Sequence, residues 1–210
     1  EMASRLQMPD GSRYQRQFNY FPTAMARKLY RPELSRVAGL DAEDLFARLI
    51  ARGEVQGALE KLLYIDCHTY LPDDILVKVD VASMAHSLEV RSPLLDHPLV
   101  EFAARLPSVE KFSGFRGKQI LRRAARGIVP RAIILRRKKG FGIPHARWLR
   151  GELRDMAHDT LLSSRASERG YFHQEGVERL LAEHDAGLVN HGLRIWALLW
   201  LELWHREFID

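Results

Sequence analysis

Gly192-Leu193-Arg194-Ile195-Trp196-Ala197-Leu198-Leu199-Trp200-Leu201-Glu202-Leu203-Trp204-His205-Arg206-Glu207-Phe208 is the stretch on which the fold class turns. Trp196, Trp200 and Trp204 recur four apart, a spacing that puts side chains on one face of a helix, and such an aromatic stripe is expected to be core rather than a ligand cage. Working back from it, apolar residues spaced by three and four predict helices over Gln174 to Ala186 and His145 to Leu162. Lys138-Lys139-Gly140-Phe141-Gly142-Ile143-Pro144 reads as a loop, because two glycines and a proline within seven residues punctuate the backbone. Pro130 opens a short helix that stops near Arg136, and Gly117 to Ala125 makes another with Ile120, Leu121 and Ala124 inward. Asp96-His97-Pro98 reads as an N-cap with proline near the first helical position, opening a helix through Leu106 after an extended loop at Ser92-Pro93. Pro72-Asp73-Asp74 starts a further helix to about His86, its acids suiting the positive end of the dipole. Leu45 to Tyr70 is helical with a break at Gly53 and Gly57. No alternating strand run stands out, so the chain is predicted to be mainly α, a single helical region over residues 1–210.

The 210 residues are 46% hydrophobic and 28% charged, enough for a real core and incompatible with a disordered chain. There is no run of about eighteen uncharged apolar residues, and Glu1-Met2-Ala3-Ser4-Arg5 has no basic flank leading into an apolar stretch. Neither a membrane span nor a signal peptide is therefore expected, and the reading is a soluble, cytoplasmic protein. Cys67 is the single cysteine, which excludes an internal disulfide, and it is read as a small buried thiol. The net charge of +5 is unevenly spread: Lys111 to Gly151 holds thirteen Lys and Arg and no acid. The other nineteen basic residues face all twenty-seven acids, so this segment is +13 and the remainder −8. An acid-free basic block suits a surface that meets phosphates, of a nucleotide or of nucleic acid, with a solvated basic face as the plain alternative.

Candidates for chemistry are few. The nine histidines are scattered without an H-x-x-x-H pair, and no metal site is expected. G-x-S-x-G, Walker and G-x-G-x-x-G signatures are absent. Two constellations remain. In Leu71-Pro72-Asp73-Asp74-Ile75-Leu76-Val77-Lys78-Val79-Asp80, Asp74 stands four residues before Lys78 and Asp80 two after it; spacing alone reads these as helix capping and an ion pair. Glu89, Arg91 and Asp96 follow in a loop, which they either tie down or offer to a substrate. The second constellation is Arg136-Arg137-Lys138-Lys139-Gly140-Phe141, where glycine permits close backbone approach, Lys gives a mobile point charge and Arg a planar fork for phosphate.

Taken in order, L-P-D-D-I-L-V-K-V-D, S-M-A-H-S-L-E-V-R-S-P-L-L-D-H, G-K-Q-I-L-R, R-R-K-K-G-F-G-I-P and the closing W-A-L-L-W-L-E-L-W resemble the C-terminal synthetase domain of glutamine-hydrolysing asparagine synthetase, best between Tyr64 and Phe208. The resemblance implies the helical C-terminal half of an α/β adenine-nucleotide α-hydrolase-like (ATP-pyrophosphatase) domain. It further implies an amide ligase that uses ATP and Mg2+ to adenylate the aspartate side chain, which ammonia from glutamine then attacks. The family's R-x-K-x-G-F lysine falls on Lys138, the implied catalytic residue. The G-K-x-x-L-R lysine falls on Lys118, which with Arg136 and Lys138 forms the implied phosphate field. Asp74, Asp80, Glu89, Arg91 and Asp96 are implied structural or substrate-loop positions. The family's S-G-G-x-D-S pyrophosphate loop, its S-G-x-G-x-D-E segment and its N-terminal catalytic cysteine are not in this sequence. The chain is accordingly expected to be inactive by itself, with ATP and Mg2+ held mainly by an upstream half. The implied partners are small-molecule substrates, with no membrane and no nucleic acid; homo-oligomerisation stays open. The rivals are a basic helical nucleic-acid-binding module and a non-catalytic scaffold derived from the enzyme.

Overall fold

Residues 19–37, 42–53, 55–114, 116–137 and 142–210 are those the computed structural model describes. In chain order they form α1 (Thr23–Leu29), α2 (Pro32–Val37), α3 (Ala42–Arg52) and α4 (Ala58–His68). A π-helical segment (Leu71–Leu76) runs into α5 (Val77–Met84), and a 3-10 turn (Pro93–Leu95) precedes α6 (His97–Arg105) and α7 (Ser108–Lys111). Strands β1 (Phe112–Ser113) and β2 (Arg116–Gly117) pair antiparallel, Phe112 opposite Gly117, before α8 (Gln119–Ala124) and α9 (Arg131–Ile134). Then come α10 (His145–Trp148), α11 (Arg154–Leu161), α12 (Ser164–Glu168), α13 (Gln174–Asp185) and α14 (Gly192–Phe208). The mainly α expectation holds; the small hairpin is an addition the sequence reading did not contain. The described residues divide into two compact units, residues 19–45 with 142–210, and residues 46–137.

The first unit is organised around α14, which packs on α10, α11 and α13. Leu149, Ala157, Leu180, Leu181, Ile195, Leu198 and Leu199 share its core with Leu29 from α1. Gly192 begins α14 because the helix passes so close to α10 that a Cβ there would sit 2.9 Å from the Ala146 Cα. The α14 stripe corrects the sequence expectation. Ile195, Leu198, Leu199, Glu202 and His205 face inward, whereas Trp200 is 57% and Trp204 47% exposed, and only Trp196 packs against the core. The helix expected over His145 to Leu162 is also interrupted. Gly151 is a poor helix former, and the chain turns between Leu149 and Leu153, where Arg150 Nε donates to the His184 carbonyl at 3.0 Å.

Glu202 enters this core as a charge and is held there by two arginines. Arg169 Nε donates to it at 2.6 Å and Arg206 Nε at 2.8 Å, while Arg206 Nη2 also reaches Ser163 Oγ at 2.9 Å. Arg169 extends the network to Asp210 through Nη1 at 3.0 Å. Burial alone would push the Glu202 carboxyl up; the hydrogen bonds from Arg169 and Arg206 reverse this and leave it below its usual value.

The second unit has little core: Ile65 is its only buried hydrophobic side chain among the described residues, and Val77, Val81, Met84, Leu88, Leu94 and Phe102 are exposed. α4 is anchored to α7 where Ser108 Oγ donates to Glu60 Oε1 at 2.5 Å, the contact that most lowers the Glu60 pKa. The break between α3 and α4 falls at Gly53 and Gly57 as expected, with Gly57 at φ +93. Pro72, Asp73 and Asp74 stand in the first turn of a new helical segment, as expected. After the Thr69 break, at φ −137, ψ −84, the chain re-enters helical geometry and the turn widens, the Val77 N–H bonding the Pro72 carbonyl five residues back. A proline in the first turn forfeits no intrahelical bond, because an N–H there would have no partner within the helix. Two further expectations fail, since Leu121 and Ala124 are exposed rather than inward, and Cys67 is exposed rather than buried. No helix among the described residues is long and apolar enough to cross a membrane.

Candidate functional site

Those of the singled-out residues that are described lie in the second unit, at or near helix ends. The π-helical segment carries Asp74, whose Oδ1 accepts from Lys78 Nζ at 3.2 Å, as the spacing predicted. Asp80 lies in the first turn of α5, and its carbonyl accepts from Ser83 Oγ at 3.1 Å. α5 then closes with Ser87 at φ +56 and the Leu88 N–H on the Ser83 carbonyl, which turns the chain into the loop that holds Glu89 and Arg91. Arg91 Nε donates to Glu89 Oε1 at 2.7 Å in an exposed pair that fixes loop geometry more than stability. Asp96 stands at the N-cap of α6 as expected, yet its side chain makes no cap hydrogen bond.

Lys118 precedes α8 in the left-handed conformation, φ +59, ψ +38. A lysine gains nothing from that backbone, so the strain is sustained by its surroundings, and strain of this kind gathers at functional positions. Arg122 supplies the brace: its Nε donates to the Gly117 carbonyl at 3.2 Å and its Nη1 donates to the carbonyl of Ile134 at the end of α9. Between α8 and α9 lies a cavity of about 1400 Å³ lined by seven arginines, including Arg136, and by no acid. Arg136 is exposed at its edge. Lys138, with Lys139, Gly140 and Phe141, lies outside the described residues.

The structure therefore brings Asp74 to Lys78, Glu89 to Arg91, and Arg136 to the other cavity arginines. Among the described residues no ion pair or hydrogen bond joins Asp74 or Asp80 to Glu89, Arg91 or Asp96, or any of these to Lys118. The sequence reading missed the convergence of Arg116, Arg123, Arg126, Arg131 and Arg137 on one cavity; the acid-free +13 run was its only trace. It also missed the positive φ of Ser87 and Lys118, which no residue type there announces.

A family model described as asparagine synthase matches residues 3–206. The chain is 32% identical over 183 residues to asparagine synthetase (glutamine-hydrolyzing) 1 of Bacillus subtilis (strain 168), a match covering 87% of this chain and 28% of that protein. It is 39% identical over 168 residues to a putative asparagine synthetase (glutamine-hydrolyzing) of Mycobacterium tuberculosis (strain CDC 1551 / Oshkosh), covering 80% of this chain and 26% of the relative. The chain thus spans little more than a quarter of the length of these relatives. No solved structure matches it. Neither the nucleic-acid-binding module nor the non-catalytic scaffold finds support in these matches.

Proposed function

This chain belongs to the asparagine synthase family, and from that premise we propose that it is the helical C-terminal part of a synthetase domain that makes asparagine from aspartate, ATP and ammonia drawn from glutamine. The finer fold, one half of an α/β adenine-nucleotide α-hydrolase-like domain whose ATP cradle is supplied by another segment, belongs to the same proposal, as do the single-region organisation and a cytoplasmic setting. The observation that carries the reading is the family match across residues 3–206, which takes in every motif quoted above.

In the proposed reaction an oxygen of the aspartate side-chain carboxylate attacks the α-phosphorus of ATP and the bond to pyrophosphate breaks. Ammonia nitrogen then attacks the activated acyl carbon, sheds a proton, and AMP leaves with the bonding electron pair. Negative charge grows on phosphate oxygens in the first step and on the acyl oxygen in the second, so one cation placed between the two serves both. We assign that role to Lys138, with Lys118 and Arg136 adding positive potential for the phosphates. Asp74, Asp80, Glu89, Arg91 and Asp96 shape the adjoining loop. Mg2+ is expected to accompany ATP, but no three His, Cys, Asp or Glu side chains gather as a cation site among the described residues. These residues alone do not form its cage.

The test is aspartate- and ammonia-dependent pyrophosphate release by the full-length protein. Lys138→Ala should lower the rate about a hundred- to thousandfold, the size of a charge-assisted contact made in the transition state, while leaving thermal stability unchanged. Lys139→Ala should have little effect. Equal, mild losses from both would refute the assignment.

A further inference from the structure

Lys118 holds a positive φ that a lysine rarely adopts, and a single neighbour grips it from both sides. The peptide plane before its Cα carries the Gly117 carbonyl, which accepts from Arg122 Nε at 3.2 Å. The plane after it carries the Lys118 carbonyl, which accepts the Arg122 backbone N–H at 2.9 Å. Because φ and ψ are the rotations of those two rigid planes about Cα, a residue that holds both carbonyls sets the direction in which the Lys118 side chain leaves the backbone. The Arg122 side chain reaches further, its Nη1 donating to the Ile134 carbonyl at the end of α9. The last carbonyls of a helix have no partner within it, and a planar guanidinium serves two acceptors at once in fixed directions. One fork therefore ties the backbone of Lys118 to the chain just ahead of Arg136. Lys118 is exposed and Arg122 half-buried, so the lysine meets solvent while the residue that holds it is the more enclosed of the two.

We propose that Arg122 is a positioning residue for the synthetase reaction: it aims the Lys118 ammonium by holding both peptide planes of Lys118, and it fixes that lysine relative to the end of α9. The inference rests on the ligase reading of Lys118, which gives Arg122 itself no role. Without the fork, Lys118 relaxes toward the negative φ that is ordinary for a lysine, and its Cβ swings away from the direction it now takes. What the reaction then loses is the aim of a charge that is still present.

The experiment is a double-mutant cycle in the full-length protein, read as kcat/KM for ATP in aspartate- and ammonia-dependent pyrophosphate release, with hydrogen exchange followed on the same variants. Arg122→Met keeps the backbone N–H and removes the fork, and it should lower kcat/KM about tenfold. Arg122→Lys, whose point charge serves one carbonyl in place of two, should lose about threefold, which guards against a folding defect. Lys118→Gly removes the ammonium and leaves a residue at ease in the left-handed region; it should lose at least as much as Arg122→Met. The double variant Lys118→Gly/Arg122→Met should stay within about twofold of Lys118→Gly, because the brace has nothing left to aim. Losses that multiply, with Arg122→Met costing the same factor in either background, would overturn the proposal, since Arg122 would then act on the fold or on the substrate directly. So would unchanged ATP kinetics in Arg122→Met. Hydrogen exchange reads the brace apart from the chemistry. The amides of Leu135 and Arg136, bonded to the carbonyls of Arg131 and Ile133, should exchange faster in Arg122→Met and at the native rate in Lys118→Gly. Native exchange in Arg122→Met would sink the brace whatever the assay shows. No pyrophosphate release from the unaltered protein, with the exchange difference intact, would instead overturn the ligase reading and leave Arg122 a purely structural tie.

Discussion

The His184 ring is buried with both nitrogens committed. Its Nδ1 accepts the His191 backbone N–H at 3.1 Å, which leaves Nε2 to donate to the Ala146 carbonyl, also at 3.1 Å, so the neutral ring fits and a second proton has no acceptor. Burial, then the charge of Arg150, hold its pKa below the usual 6.5. Above that pH the ring is neutral in folded and unfolded chains alike. As the pH falls below it, the unfolded chain takes up a proton the folded one refuses, and stability declines toward the lower folded pKa. Urea unfolding should show this loss as the pH falls below about 6.5, and His184→Gln should flatten the slope while costing about 1 to 3 kcal/mol at pH 7. An unchanged slope in the variant would rule out His184 as its source. Glu202 works in the opposite sense to an isolated buried acid. With its pKa lowered by Arg169 and Arg206, and that of Asp210 lowered to about 2 by hydrogen bonds from Arg169, both carboxylates add stability above about pH 4.5 that is lost as the pH falls through their folded values. Glu202→Gln should cost about 3 to 5 kcal/mol at neutral pH, the usual loss when one partner of a buried ion pair is removed, measured by the same unfolding. None of this was legible in the sequence: His184 and its Ala146 partner are 38 residues apart, and scattered histidines were weighed there only as metal ligands.

At the scale of elements the three-and-four periodicity placed most of the helices, and Gly53 and Gly57 marked a real break. It failed on faces and on phase. α14 is apolar around nearly its whole circumference, so the pattern alone cannot choose which side is buried, and the tryptophans lost to the smaller Ile195, Leu198 and Leu199, which pack closer. At Pro72 the reading of proline near a helix start holds, while the widened turn that follows was not legible, because no residue spacing is diagnostic of it. The wide turn has a testable role. Pro72→Ala removes the ring that fixes φ in the first turn, so the segment should fray at its start and hold Asp74 less firmly relative to Asp80. Hydrogen exchange at residues 73–77 should quicken while synthetase activity of the full-length protein falls. Faster exchange with full activity would show that the wide turn positions nothing the reaction needs. The site was legible only as motifs; which arginines share a cavity depends on the brace from Arg122 to Ile134, a contact across 12 residues.

Across the whole molecule, burial is lopsided. Among the described residues, nine of the ten buried hydrophobic side chains belong to the unit formed by residues 19–45 and 142–210, and Ile65 alone to the other. So much uncovered apolar surface on residues 46–137 predicts that the 210-residue chain, produced by itself, self-associates and binds a hydrophobic dye. A monodisperse, dye-negative monomer in light scattering would contradict this. The segregation was not visible in composition, because apolar residues are plentiful in both units and only their partners differ. The better-packed unit is also discontinuous in sequence: Arg194 Nε donates to the Tyr20 carbonyl at 2.6 Å across 174 residues. On a ribosome adding roughly 5 to 20 residues per second, α1 emerges on the order of 7 to 30 s before α13, the helix against which it packs. For that interval Leu29 and its neighbours have no native partner, so this half of the fold is completed only as synthesis reaches α14, and a nascent-chain chaperone has its widest opportunity there.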